Sequence, residues 1–478
     1  MQNIPACPHA KRCGGCQYQG LDYAEQLAKK QAQAEALFGS FAPVAPILGA
    51  EEPLHYRNKV HAAFGFDPQR RVVSGVYQPG SHVIVPVGDC LIEDETADRV
   101  IAAIRALLPK LKIPVYDERR GSGWLRHVLV RRGFATGELM VVLVAVSPVF
   151  KNQKAFLAEL LAAFPAIRTV VLNVNDRFGP VVLGPKSKVL CGDGNIEDIL
   201  CSLRFRLSPT AFYQINSAQC EKLYAKVIEF AALTGAETVL DAYCGVGTIG
   251  LCAAAQAKQV IGVELNREAV RDAIANAKLN GVKNAWFTAG DAGEYMEGML
   301  RAGQRPDVVL MDPPRAGSDR RFLDALIRCA PPRVVYVSCG PDTLRRDLEI
   351  LTRGGYRVEA VQPVDMFPFT EHIETVCLLS KLSEAKNHIS VKVDMDEMDL
   401  TAAESKATYQ EIQEWVQEKY GFHVSHLNIA KTKRKCGIIE RQNYNLPKSD
   451  ESRSPETPKE KEEAIIEAFK AFQMIKQE

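Results

Sequence analysis

Between residues 201 and 383 the chain repeats one figure: a short apolar run stops at a turn residue, and a stretch with apolar positions three and four apart follows. The runs are "ETVLDAYCG", "KQVIGVELN", "AWFTAGDA", "PDVVLMDPP", "RVVYVSCG" and finally "ETVCLLSK". Strand then helix, repeated, predicts an α/β domain built on a parallel, doubly wound sheet. Residues 1–200 read differently. They open on cysteine punctuation and continue with short β-rich runs such as "HVLVRRGFATGELMVVLVAV", where a Gly-containing turn between alternating segments predicts a hairpin. From residue 384 the pattern changes again. In "LTAAESKATYQEIQEWVQEKYG" Thr401 and Glu404 stand at capping-box spacing and Gly421 closes the run, which predicts a helix. "KSDESRSPETPKEKEE" is polar and Pro-rich and reads as a mobile linker to a last short helix ending in "FKAFQMIKQE". Three blocks result, 1–200, 201–383 and 384–478, with no internal repeat of fixed period.

The chain's 478 residues suit two or three domains. With 46% hydrophobic and 24% charged residues the composition is that of an ordinary soluble protein. A net charge of +1 provides no global field, so any nucleic-acid contact must come from local basic patches. "MQNIPACPHAKRCGG" lacks the apolar stretch of a signal peptide, and no run approaches the ~20 apolar residues of a membrane span. A cytoplasmic protein without a membrane partner is expected. Thirteen cysteines, an odd number, in a reducing compartment are not a disulfide framework. They must be sorted into ligands, catalysts and packing residues.

In "VLDAYCGVGTIGL" an apolar strand runs into Asp241, and Gly245, Gly247 and Gly250 open a helix. Glycines there let the backbone approach a ligand, and Glu264, after "VIGVE", is spaced to bind ribose hydroxyls. The alternative is a tight turn without a ligand. The nucleoside is narrowed by "DVVLMDPPRAG", where Asp312 and a Pro-Pro pair stand at the carboxyl edge of the sheet, the ligand edge of open α/β folds. Asp-Pro-Pro at that strand end is familiar from S-adenosylmethionine-dependent enzymes that act on planar nitrogen heterocycles.

"VVYVSCGPDTLRRDL" places Cys339 at the mouth of the fifth strand, facing the same crevice. A thiolate of lowered pKa is a strong nucleophile near neutral pH. Carbon 5 of a pyrimidine cannot take a methyl group directly, but thiolate addition at carbon 6 turns the ring into an enolate and activates it. The carbon 5 proton must then leave to a base. "FPFTEHIETVCLL" offers Glu374, with Glu371 and His372 as nearby competitors. Cys244, Cys252, Cys329 and Cys377 sit within apolar segments and read as packing residues.

"FYQIN" (212–216), "DAYCGVGTIGL", "GVELN", "DPPRAG", "YVSCGPDTLRRDL" and "FPFTEHIETV" together resemble the RNA 5-methyluridine methyltransferases, specifically the bacterial 23S rRNA (uracil-5-)-methyltransferases, over residues 7 to about 383. The resemblance implies a Rossmann-like S-adenosylmethionine-dependent methyltransferase domain, an N-terminal α+β cysteine-cluster domain and a small C-terminal extension. It implies that Cys339 is the nucleophile and Glu374 the base. Gln214, Tyr243, Gly245, Gly247, Glu264, Asp291 and Asp312 match cofactor-site positions, with Asp312 also placed to touch the uracil edge. The similar 5-methylcytosine enzymes carry a second cysteine beside their Pro-Pro-like motif. Arg315 and Ala316 follow Pro314 here, so uridine is the expected target.

"CPHAKRCGGC" sets Cys7, Cys13 and Cys16 at spacings that bring three thiolates around one centre, and Cys90 in "PVGDCLIED" could supply a fourth. By spacing alone a structural zinc is as good a reading as an iron-sulfur cluster. The resemblance implies a 4Fe-4S cluster on these four cysteines, acting as a staple because the chemistry has no electron step. Most of the family carry a small β-barrel RNA-binding domain before the cluster, whereas six residues precede Cys7 here. RNA contacts are therefore expected from Arg57, Lys59, Arg70, Arg71, Arg126, Arg131 and Arg132, interleaved with Tyr56, Trp124 and Phe134. "KTKRKCGIIER", behind an expected strand, is a candidate RNA arm. The expected substrate is a single-stranded loop or bulge, because the target base must leave its stack. A monomer is expected. Two alternatives stand beside this reading: a tRNA uracil-5-methyltransferase, and a non-catalytic RNA-binding or assembly protein that keeps a cofactor fold.

Overall fold

The computed structural model describes residues 6–177, 179, 181–382, 409–436, 457–472 and 474. Contacts divide the chain into two compact units, 1–384 and 385–478.

The first unit opens with one helical turn, α1 (Ala10–Cys13), and a longer helix, α2 (Tyr23–Phe38), started by a capping box between Asp22 and Glu25. A seven-stranded sheet follows, from β1 (Lys59–Phe66), β2 (Val72–Tyr77), β3 (Ile84–Pro86), β4 (Leu125–Arg132), β5 (Leu139–Ala145), β6 (Ile167–Val174) and β7 (Lys186–Cys191). Its order is β3-β2-β1-β4-β5-β6-β7. The β4–β5 pair is the hairpin foreseen in the pattern, and β5–β6 is the one parallel pair. Helices α3 (Glu95–Lys110) and α4 (Gln153–Ala163) cover one face, where Val60, Val128, Val141 and Leu172 meet Val100, Ile104 and Phe156.

A hairpin of β8 (Ile196–Leu200) and β9 (Leu203–Leu207) leads into the alternating part: α5 (Ser217–Ala231), β10 (Thr238–Ala242), α6 (Thr248–Ala254), β11 (Gln259–Glu264), α7 (Arg267–Leu279), β12 (Ala285–Ala289), α8 (Ala292–Arg301), β13 (Val308–Met311), α9 (Arg320–Cys329), β14 (Arg333–Ser338), α10 (Pro341–Arg353), β15 (Tyr356–Val364) and β16 (Glu374–Lys381). The second sheet has the order β12-β11-β10-β13-β14-β16-β15, a doubly wound, Rossmann-like sheet as expected. One core runs from Met140 and Val142 of the first sheet to Val239, Leu310 and Val335 of the second.

The sheet departs from the expected parallel arrangement at one strand. β16 runs antiparallel to both β14 and β15. The run "YRVEAVQPV", absent from the expected strands, is β15, whose exposed Arg357 and Glu359 interrupt its apolar character. Only residues 365–373 separate it from β16, and nine residues are too few for a parallel crossover. The reversal carries the first residue of β16, Glu374, to the edge where the parallel strands end.

In the second unit α11 (Tyr409–Tyr420), α12 (His426–Lys435) and α13 (Lys459–Ala471) enclose Ile412, Val416, Val424, Ile429, Ile465 and Phe469. Gly421, at φ 75°, closes α11. Thr401 and Glu404, its expected start, lie outside the described residues, as does most of the expected linker, although α13 begins inside that polar stretch. The strand expected before Lys431 is α12 instead: Ile429, Thr432 and Lys433 are buried at helical spacing.

Candidate active site

The glycine turn is built around two carboxylates. After β10 the backbone enters positive φ at Tyr243 (65°), Gly245 (55°) and Gly247 (82°). Gly245 N–H donates to Glu264 Oε2 at 3.1 Å, and Asn266 N–H to Glu264 Oε1 at 2.8 Å. Gly250 N–H donates to Asp241 Oδ2 at 2.8 Å. A Cβ on Gly250 would lie 2.6 Å from that oxygen, so close backbone approach requires glycine here. Burial pushes the Asp241 carboxyl up to about 8, against the pull of the Gly250 N–H.

Strand register then sets the crevice. Ala242 pairs with Val263 and with Met311, so Tyr243, Glu264 and Asp312 are the next residues outward on three adjacent strands. The Tyr243 hydroxyl hydrogen-bonds Ser318 Oγ at 2.9 Å. Asp291 caps α8, accepting from the Glu294 N–H at 2.9 Å. Gln214 is buried on the segment before α5, its carbonyl accepting from Asn58 Nδ2 at 2.8 Å. The expected cofactor residues on β10, β11 and β13 thus meet at one sheet edge.

Cys339 and Glu374 meet beside them. Ser338 pairs with Thr375 on antiparallel strands, so Cys339 and Glu374 are the next residues of that ladder. Glu374 is buried and Cys339 half-buried, while Glu371 is exposed and His372 packs its ring edge-on against Phe367. The thiol does not have the lowered pKa expected of it. Burial first, then Glu374 and Asp312, push it up to about 11, and only the Arg315 guanidinium pulls the other way. Burial and then Asp312 hold Glu374 well above the usual carboxyl range, again opposed by Arg315. Burial raises Asp312 to about 7. The site stores protons near neutral pH. Arg315 is the group the pattern missed as a participant; its place directly after Asp-Pro-Pro was the available signal.

The segment 365–373 that presents Glu374 has little regular backbone pairing, and side chains take up its polar groups. Lys30 Nζ reaches Asp365 Oδ1 at 2.6 Å and the Phe367 carbonyl at 3.0 Å. Gln26 Oε1 accepts from the Phe369 N–H at 2.9 Å, Asn216 Nδ2 donates to the Met366 carbonyl at 3.2 Å, and Tyr56 OH to the Pro368 carbonyl at 3.1 Å.

At the N-terminus Cys7, Cys13, Cys16 and Cys90 are half-buried free thiols lining one cavity with His9, Gly14 and Ile92. Burial pushes Cys90 up to about 12 and also raises Cys16. Among the described residues, no three His, Cys, Asp or Glu side chains converge closely enough to hold a single metal ion.

Much of the expected RNA surface has internal duties. Arg131 is buried and donates to the Ser208 and Ala211 carbonyls, and buried Arg126 donates to those of Asn175 and Arg177. Arg70, Arg71 and Arg132 pair with Asp117, Asp67 and Asp94. Tyr56 and Trp124 are buried, and Phe134 lies under the Arg132 guanidinium. Arg57 and Lys59 stay half-buried, and burial with Arg131 and Arg57 nearby brings Lys59 down to about 8. On α12, Lys433 is buried over the Tyr409 ring and Lys435 pairs with Glu462, so the basic run serves that unit's own packing. No helix among the described residues is long and apolar enough to cross a membrane.

Comparison with known proteins places this geometry. The family model described as tRNA (Uracil-5-)-methyltransferase matches residues 186–382. An uncharacterized RNA methyltransferase of Halalkalibacterium halodurans is 43% identical over 378 residues, 78% of this chain and 82% of its own. One from Oceanobacillus iheyensis is 45% identical, again over 78% of this chain and 82% of its own. Among solved structures, the Pyrococcus abyssi tRNA (uracil-54, C5)-methyltransferase in complex with S-adenosyl-L-homocysteine is 28% identical, with a TM-score of 0.63 over 76% of this chain and 85% of that one.

Proposed function

Because this chain belongs to the S-adenosylmethionine-dependent RNA uracil-5-methyltransferase family, we propose that it methylates carbon 5 of a uridine in 23S rRNA through a covalent Cys339–uracil adduct. What carries the reading is the meeting of Cys339 and Glu374 on one strand ladder, with Asp312 on the next strand.

The Cys339 sulfur adds to carbon 6 as its proton passes to the Asp312 carboxylate, and the ring double-bond electrons move onto the carbon 4 oxygen. Burial raises the proton affinity of Asp312, so its carboxylate form can accept that proton. Bound S-adenosylmethionine supplies an electrophilic methyl group, which carbon 5 takes as the donor's sulfur–methyl bond breaks. Glu374 then removes the carbon 5 proton, the double bond re-forms, and the thiolate is expelled. Burial holds the Glu374 carboxyl protonated at rest, so its own proton must first pass to solvent; the buried carboxylate so formed is the stronger base. Gln214, Tyr243, Gly245, Gly247, Glu264, Asp291 and Asp312 would hold the methyl donor.

Residues 1–200 would carry a 4Fe-4S cluster and the RNA contacts, 201–383 the chemistry, and 384–478 an accessory extension. The cluster reading is supported by four half-buried thiols that line one cavity. Cys7, Cys13, Cys16 and Cys90 would hold it, and it would supply a structural staple. Equimolar iron and sulfide in anaerobically purified protein, lost in Cys90→Ser, is the expected result. Arg57 and Lys59 contact a loop or bulge whose target base has left its stack.

A tRNA target is the second reading, favoured by the name of the Pyrococcus abyssi enzyme. Mapping 5-methyluridine in ribosomal and transfer RNA from cells with and without the gene decides between them. A site lost from 23S rRNA is expected, and one lost only from tRNA would overturn the rRNA assignment.

A further inference from the structure

The connection from β13 to α9 passes the site at two points. At Arg315 its backbone packs on the turn that follows Cys339, since a Cβ on Gly340 would lie 2.8 Å from the Arg315 carbonyl oxygen. Further on, Ser318 Oγ meets the Tyr243 hydroxyl at 2.9 Å, beside the glycine turn. Residues 312–319 belong to neither helix nor strand, so their backbone polar groups need other partners. α10 supplies them. Thr343, Arg346 and Asp347 stand three and four apart and share one face of that helix. The Thr343 hydroxyl is shared between the Arg315 carbonyl at 3.1 Å and the Gly340 carbonyl at 2.9 Å. Arg346 Nη2 donates to the Ala316 and Ser318 carbonyls at 3.1 and 3.2 Å. Asp347, fully buried, accepts from the Ser318 N–H at 2.8 Å and the Tyr336 hydroxyl at 2.6 Å on Oδ2, and from Arg346 Nε at 2.8 Å on Oδ1. Gly317 lets the loop come this close. It sits at φ 79°, and a Cβ there would lie 2.8 Å from Asp347 Oδ2.

The geometry points to Thr343, Arg346 and Asp347 as positioning residues, a clamp by which the helix that follows the nucleophile fixes Arg315 beside Cys339 and Ser318 beside Tyr243. This inference rests on the reading of Cys339 given above and adds to it how the surroundings of the sulfur are held. The clamp acts through the loop and not on the uracil. Cys339 runs directly into α10, which begins at Pro341, so the loop is located against the nucleophile's own stretch of chain. Arg315 opposes the burial and the two carboxyls that keep the Cys339 thiol protonated. Attraction between charges falls with distance and is screened by water, so a guanidinium on a loop free to swing would lose that effect. One set of hydrogen bonds therefore serves two ends of the reaction: the cation at the sulfur, and the Ser318–Tyr243 contact at the edge where the methyl donor is expected.

The test is the pH dependence of iodoacetamide labelling at Cys339 in the full-length protein, without RNA or methyl donor. The Arg346 side chain is half-exposed, and Thr343→Val keeps the shape while removing only the hydroxyl, so both positions can be changed without opening the core. Arg346→Met and Thr343→Val should each move the labelling midpoint up, the direction in which losing Arg315 moves it. Added to Arg315→Met, neither should move it further, because changes that act through one group are not additive. A merely structural role would lower the melting temperature and leave the midpoint in place. The parent midpoint in both single variants, or a rise that persists in the Arg315→Met background, would overturn the proposal. Adduct formation with RNA does not enter this measurement, so failure of the clamp and failure of the covalent mechanism are told apart.

Discussion

Lys30 Nζ lies 2.6 Å from Asp365 Oδ1, and neither side chain has any exposed surface. The pair joins α2 to the segment that presents Glu374. Tyr23 adds a second contact to the same carboxylate, at 2.8 Å. Burial pulls the Lys30 ammonium below its usual range while Asp365 pulls it back up, so each charge depends on the other. Lys30→Met leaves Asp365 buried without its cation and should cost about 3–5 kcal/mol in urea unfolding. Lys30→Met with Asp365→Leu should recover most of that loss. A loss under about 1 kcal/mol for the single change would mean that the pair is not a fastening.

The reactivity of Cys339 should have an unusual pH profile. Its folded-state value of about 11 lies above the ordinary thiol value of 9.0, so the folded protein holds the proton longer than the unfolded chain does. The stability contribution is therefore present below about pH 9 and is lost as pH rises through about 11. Iodoacetamide labelling of Cys339, followed by peptide mass spectrometry, should climb with a midpoint near 11. Arg315→Met should move it higher, because Arg315 is the group that favours the thiolate. A midpoint near 8 in the parent protein would contradict the electrostatics of the site.

Removing the proposed base should trap the intermediate. Glu374→Gln keeps the shape but cannot take the carbon 5 proton, so RNA should stay attached to protein through denaturing electrophoresis. Turnover should fall by about a hundredfold or more, the usual range for a general base. Cys339→Ser should show neither adduct nor product. Normal turnover by Glu374→Gln would move the base elsewhere.

Two glycines separate close packing from backbone freedom. Gly250→Ala sets a methyl 2.6 Å from Asp241 Oδ2 and should cost about 1–3 kcal/mol, with weaker binding of S-adenosylhomocysteine by titration calorimetry. Gly298→Ala, inside α8 with open space around its Cβ, should stabilise by about 0.5–1 kcal/mol in thermal melts.

Local pattern carried the doubly wound sheet and the residues at its ligand edge, because strand-end chemistry is written in short motifs such as Asp-Pro-Pro. It did not carry β15, whose exposed Arg357 and Glu359 blur an edge strand, nor the reversal of β16, which depends on the length of one connection. Two members of the expected basic surface, Arg126 and Arg131, were misread for a related reason. A sequence shows that Arg131 is cationic but not that the Ser208 and Ala211 carbonyls lie within its reach. The raised thiol of Cys339 was hidden as well, since it comes from burial and from two carboxyls, Glu374 and Asp312, that approach only through tertiary register.

Setting the proposed nucleophile and the proposed base at the ends of two hydrogen-bonded neighbouring strands has a mechanical result. Their separation is written into the backbone, like two teeth cut on one comb. Strand pairing holds that spacing, so commitment to reaction rests on how the uracil enters and not on bringing sulfur and carboxyl together.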